Sequence, residues 1–142
     1  MEFTSEEQME RIAWGFVARM LPGKEFTHAA HFATAMWLMV RRPEIDLPTQ
    51  MPAMIRAFNE SAGGQNIDTS GYHETITRAS LRATKIFLRE HPDEPLVDVL
   101  NALLSSRLGR SDWMLTYWTR ERLFSVDARK GWVEPDLLPL PE

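Results

Sequence analysis

The chain has no cysteine. That removes disulfides, thiolate nucleophiles and thiolate metal ligands together, so any bound metal must be held by histidine, carboxylate or water. Also missing is any apolar run approaching the roughly 18 residues that a membrane-spanning helix needs. The first ten residues are acidic and polar, where a secretory leader would be basic and then apolar. Basic residues are not gathered into a block. Sixteen Lys and Arg lie scattered among twenty Asp and Glu, for a net charge of -4, which argues against nucleic acid as a partner. There is no phosphate-cradling loop, no Gly-x-Ser-x-Gly elbow and no dinucleotide fingerprint, so nucleotide chemistry is disfavoured. The expectation is a cytoplasmic protein with neither a membrane nor a nucleic-acid partner.

What is present is helical patterning. At 142 residues, with 44% hydrophobic and 25% charged, the chain fits one globular domain with one core. Thr4-Ser5-Glu6-Glu7 has the form of a capping box, and Met9, Ile12, Ala13, Phe16, Val17 and Met20 then recur at helical intervals up to Leu21-Pro22-Gly23. A second helix is predicted from about Thr27 to Arg42, with Phe32, Ala35, Leu38 and Met39 on one side and Trp37 on the other, so that it is buried almost all round. Pro43 to Pro48 reads as a loop. A third helix carries Met51, Met54, Ile55, Phe58 and Ala62, with Pro52 in its first turn, and stops at Gly63-Gly64. After the turn-forming stretch from Gln65 to Gly71, Thr69 or Ser70 is expected to cap a fourth helix that reaches Glu90 and breaks at His91-Pro92. Leu96, Val99, Leu100, Leu103 and Leu104 mark a fifth. Asp112 to Tyr117 and Thr119 to Arg129 read as two short helices, and residues 132–142 as an extended Pro-rich tail lying on the body. The fold class is therefore all-α, a single-domain helical bundle.

The candidate site lies in two helical first turns. His28 and His31 share the inward side of the second helix with Phe32, Ala35 and Leu38. On the fourth helix His73 aligns with Ile76, Thr77, Ser80, Leu81, Thr84 and Phe87. Thr77, Ser80 and Thr84 stand where a simple core would place Leu or Ala, because an unpaired buried hydroxyl costs roughly 1–3 kcal/mol. Short loops between consecutive antiparallel helices make the second and fourth parallel, so His28, His31 and His73 are expected to converge at an end left open by the 65–71 loop. The partial positive charge of helix N-termini favours neutral imidazole, the form that ligates a metal. Three such histidines suit zinc, nickel, iron or manganese with a position left for water or substrate. Glu74 is placed to be a fourth ligand, an acceptor that orients a histidine, or a general base. Tyr72, Thr77, Ser80 and Asn59 are the candidate substrate-binding residues. His91 reads as a C-terminal cap, Arg120-Glu121-Arg122 as surface ion pairing, and Trp113, Tyr117 and Trp118 as core or dimer interface.

Phe26-Thr27-His28-Ala29-Ala30-His31 paired with Gly71-Tyr72-His73-Glu74-Thr75-Ile76-Thr77, and followed by the Tyr117 to Ser125 stretch and a Val133-to-Pro139 tail, resembles a widespread bacterial family of small helical proteins without an assigned activity. The likeness covers about residues 26 to 139. In layout the chain is also similar to the DinB/YfiT-like metal-binding bundles, which gather three histidines from different helices at one end; the histidine spacing here differs from theirs. Two functional expectations follow, from different classes. One is a metal-dependent enzyme that hydrolyses a small molecule or transfers a group to it. The other is a binding or interaction protein whose histidines form a metal-free pocket or a homodimer contact. A purely structural polar core is the third, non-functional account of the same residues.

Overall fold

In a computed structural model that describes residues 3–142, seven α-helices follow one another without a strand among the described residues. They are α1 (Glu6–Val17), α2 (His28–Arg41), α3 (Leu47–Ser61), α4 (Glu74–Glu90), α5 (Leu96–Ser105), α6 (Arg120–Leu123) and α7 (Val126–Lys130), with 3-10 turns at Gly23–Glu25, Arg107–Gly109 and Trp113–Thr116. The all-α bundle read from the patterning is the observed fold. No helix among these residues is long and apolar enough to cross a membrane.

Helix α2 is the centre. It packs on α1, α3, α4 and α5, and an unbroken run from Phe32 to Leu38 is buried, which is why apolar residues face every side of it. Thr27 caps it by accepting from the Ala30 N–H at 3.2 Å. At α1 the start lies one residue later than expected: Ser5 is the cap, and the Gln8 side chain reaches back to the Thr4 N–H at 2.7 Å. The far end of α1 closes earlier. Arg19 takes a left-handed φ of 58°, the Met20 and Leu21 N–H groups turn back to the Gly15 carbonyl, and Met20 is thrown outward to 79% exposure.

Helix α3 begins one turn earlier than the proline pattern suggested. Leu47 is buried and anchors the start, while the Asp46 carbonyl accepts the Thr49 and Gln50 N–H groups. Pro52 consequently lies inside the helix, where its missing donor forgoes a bond to the carbonyl of another proline, Pro48. Gly63, at φ 90°, ends α3 in the left-handed cap that its sequence position called for.

The stretch from Thr119 to Arg129 is two helices because Ser125 interrupts it. The Ser125 hydroxyl accepts from Ala128 N–H at 3.1 Å and so starts α7 as a fresh cap. The tail does lie on the body. Its Leu137 N–H donates to the Tyr117 carbonyl at 2.9 Å, and Asp136 holds both the backbone N–H and the hydroxyl of Thr119, at 2.8 and 2.7 Å.

Candidate functional site

The stretch that opens α4 is organised by a histidine. Neither Thr69 nor Ser70 caps this helix, because Ser70 exchanges two backbone hydrogen bonds with Ile67 and is drawn back into the loop. His73 takes the position instead: its Nδ1 accepts the Ile76 N–H at 3.1 Å, while its Nε2 donates to the Leu123 carbonyl at 2.7 Å. A carbonyl can only accept and an amide N–H can only donate, so the ring is held in one neutral tautomer with both nitrogens occupied. Burial lowers the pKa of His73, outweighing the Leu123 carbonyl, and the positive charge of Arg129 adds to the lowering.

Around it lies a structural network. The Tyr72 hydroxyl donates to Glu74 Oε1 at 2.6 Å, and the Arg56 guanidinium stacks on the Tyr72 ring at 4.4 Å. Burial first, and the Glu74 carboxylate second, raise the Tyr72 pKa far above the ordinary phenol. Asn59 donates to Asn66 Oδ1, which also accepts the Tyr72 N–H. Arg129, from α7, donates to the Gly71 carbonyl at 2.9 Å. Tyr72, Glu74 and Asn59 thus tie the 65–71 loop to α3 and α7, and Thr77 lies against Tyr72.

One hydroxyl on α4 stands out. Thr75 is fully buried; it donates to the Gly131 carbonyl at 2.9 Å and accepts the Val133 N–H at 3.2 Å, clamping the chain after α7. Thr84 returns its hydroxyl to the Ser80 carbonyl at 2.8 Å. Among the described residues the buried hydroxyl left without a partner is on α2, at Thr34, away from the expected line.

The end of the bundle that was expected to be open is therefore closed by residues 106–131. His28 Nε2 donates to the Leu108 carbonyl at 2.8 Å, just as His73 does to Leu123. The same segment leaves a cavity of about 490 Å³ beside α2. His28, His31, Phe32 and Ala35 line it from α2, Ile76 and Ser80 from α4, and Trp113, Met114, Leu123 and Phe124 from the C-terminal segment, with Asp112 and Arg120 as its charged groups.

Within it His31 stacks on Phe26, ring centres 3.8 Å apart. His31 is exposed at the cavity mouth, with protein atoms packed closely around its ring. That crowding, and then the charge of nearby His28, push its pKa down to about 4. Neither His31 nitrogen makes a protein hydrogen bond among the described residues, and Nδ1 of His28 makes none either.

Of the predicted site residues, His28, His31 and Ser80 share this cavity, while His73, Glu74, Tyr72, Thr77 and Asn59 do not line it. The three-histidine centre is not assembled. No group of three or more His, Asp or Glu that could hold a metal occurs among the described residues, and the donor set does not fit one, since both nitrogens of His73 are spent on the backbone. Among the described residues no serine hydroxyl is hydrogen-bonded to an imidazole.

Sequence reasoning missed Asp112, Arg120 and Phe124 as cavity residues. Their position depends on how a short 3-10 turn and two four- to five-residue helices fold back, which no periodicity encodes. Comparison with protein-family models, with curated proteins and with solved structures finds no match to this chain.

Proposed function

We propose that the chain is a small-molecule binding protein whose site is the His28–His31 cavity, used without a metal. The observation that carries this reading is His31: an exposed imidazole, free of protein hydrogen bonds among the described residues, at the mouth of a largely apolar cavity of about 490 Å³. That volume lies within the roughly 300–1,000 Å³ of ordinary ligand sites, which combine apolar walls with few polar groups. The ligand expected is a compact, mostly apolar molecule. Its flat face suits Phe32 and Trp113, and one polar or acidic group meets His31 and the Arg120 guanidinium, whose ion pairing with a carboxylate is absent among the described residues. A pKa near 4 makes His31 a hydrogen-bonding group at neutral pH and a feeble proton acceptor, which favours binding over acid–base catalysis.

A thermal-shift titration with small aromatic acids such as benzoate and indole acetate tests it. A ligand at 100 times its Kd adds about 2.7 kcal/mol of stability, and this gain should vanish in His31→Ala and in the cavity-filling Ala35→Leu. Stabilisation that survives both substitutions, or none in the wild type, defeats the assignment.

A further inference from the structure

A larger recess, of about 930 Å³, lies elsewhere, between α4, the α2–α3 connection and Trp132. Arg78, Arg82, Lys85 and Arg89 recur at intervals of four, three and four residues, so they share one face of α4, and all four line this recess. A row of cations on a helix is ordinarily a solvated face. Two features set this one apart.

The first is what it borders. Leu81 and Leu88 from the same helix, with Met39, Ile45 and Leu47 across from them, give the recess an apolar wall. The second is the state of the charges. Of the carboxylates in the recess, Glu44 is paired with Arg42, while Asp46 and Glu134 accept from neutral donors, the Thr49 hydroxyl and the Trp132 indole N–H, and keep their charge. Arg78 rests on the Trp132 ring at 5.2 Å, and Arg82 holds the Pro141 carbonyl at 3.1 Å and Glu142 at 3.6 Å. Among the described residues, Lys85 and Arg89 have no carboxylate partner. Two exposed cations in direct contact with no carboxylate thus stand at the edge of an apolar recess whose lining holds four cations against the three carboxylates Glu44, Asp46 and Glu134.

We propose that this recess binds a soluble amphipathic organic anion. Its apolar body lies on Leu81, Leu88 and Ile45, and its carboxylate, sulfonate or phosphate-ester head is held by Lys85 and Arg89. Charge-assisted hydrogen bonds to an ammonium and a guanidinium at the rim set affinity for the head. The apolar wall excludes simple inorganic anions as adequate ligands, because they leave it wet. The site is independent of the histidine cavity, with which it shares no lining residue.

The test uses the full chain and anilinonaphthalene sulfonate, an apolar fluorophore with one anionic group, titrated by fluorescence and calorimetry. Phenylnaphthylamine, its uncharged counterpart, and inorganic phosphate are run beside it. One equivalent of the sulfonate should bind, roughly tenfold or more tighter than either comparator. The double variant Lys85→Gln/Arg89→Gln, both on the exposed face of α4 and checked for unchanged helicity, should weaken it by a similar factor. Arg120→Gln, which alters the other cavity, should leave it unchanged. Equal affinity in the double variant, equal binding of the uncharged counterpart, a loss that follows Arg120→Gln, or no saturable binding overturns the proposal. Preference for anionic phospholipid vesicles over the soluble probe would overturn the assignment to a soluble ligand.

Discussion

His73→Leu should destabilise this protein, although it replaces a buried polar residue, 6% exposed, by an apolar one of similar size. The ring makes two backbone hydrogen bonds, one to Ile76 N–H and one to the Leu123 carbonyl, at 3.1 and 2.7 Å. Losing an N-cap costs about 1 kcal/mol. An unsatisfied buried carbonyl costs about 1–3 kcal/mol more, so the expected loss is about 2–4 kcal/mol, a large part of the roughly 5–15 kcal/mol that holds a domain together. For a chain of this length that is on the order of 10 °C in Tm. His73→Asn separates the two bonds. Asparagine is a good N-cap but its shorter side chain falls short of Leu123, so this variant should recover about 1 kcal/mol relative to His73→Leu. Urea denaturation followed by circular dichroism, with unchanged m-values, measures all three proteins. His73→Leu within about 0.5 kcal/mol of wild type would show that the ring's hydrogen bonds do not hold α4, and the capping account would fall.

Acid should weaken the fold through the histidines. Burial lowers the pKa of His73, and desolvation by the protein atoms around the exposed His31 lowers its pKa to about 4, from about 6.5 in the unfolded chain. Above pH 6.5 or so both states are neutral and the stability is fully present; as pH falls toward 4 the unfolded chain protonates first and stability is lost. Solvent reaching His31 through the cavity screens part of the effect. Urea midpoints between pH 7.5 and 4.5 should fall less steeply in His31→Gln than in wild type, and parallel slopes would refute the assignment. Two glycines of left-handed φ give a steric comparison. At Gly71 an added Cβ would lie 2.2 Å from the Gln65 carbonyl oxygen, while at Gly63 nothing stands within 4 Å. Gly63→Ala should therefore cost only its backbone strain, about 1 kcal/mol, and Gly71→Ala clearly more, about 2–3 kcal/mol. Equal melting temperatures for the two variants would contradict the close approach.

Local chemistry by itself determined the helices. The apolar repeats of α1, α2, α4 and α5 and the caps at Thr27 and Gly63 are interactions between residues a few positions apart, whose outcome the sequence dictates. It also determined that His28 and His31 share one side of α2. Tertiary structure decided the rest. Whether Pro52 begins a helix or lies within it turned on the burial of Leu47, and whether Ser70 or His73 caps α4 turned on a loop that draws Ser70 toward Ile67. The histidines parted company for the same reason. Helix periodicity gives a side chain's direction but not what waits there, and a carbonyl 50 residues away, that of Leu123, occupies the nitrogen of His73. Arg120 and Asp112 reach the cavity only because residues 106–131 wrap back over the starts of α2 and α4, held by backbone carbonyls that carry no signature in the amino-acid sequence.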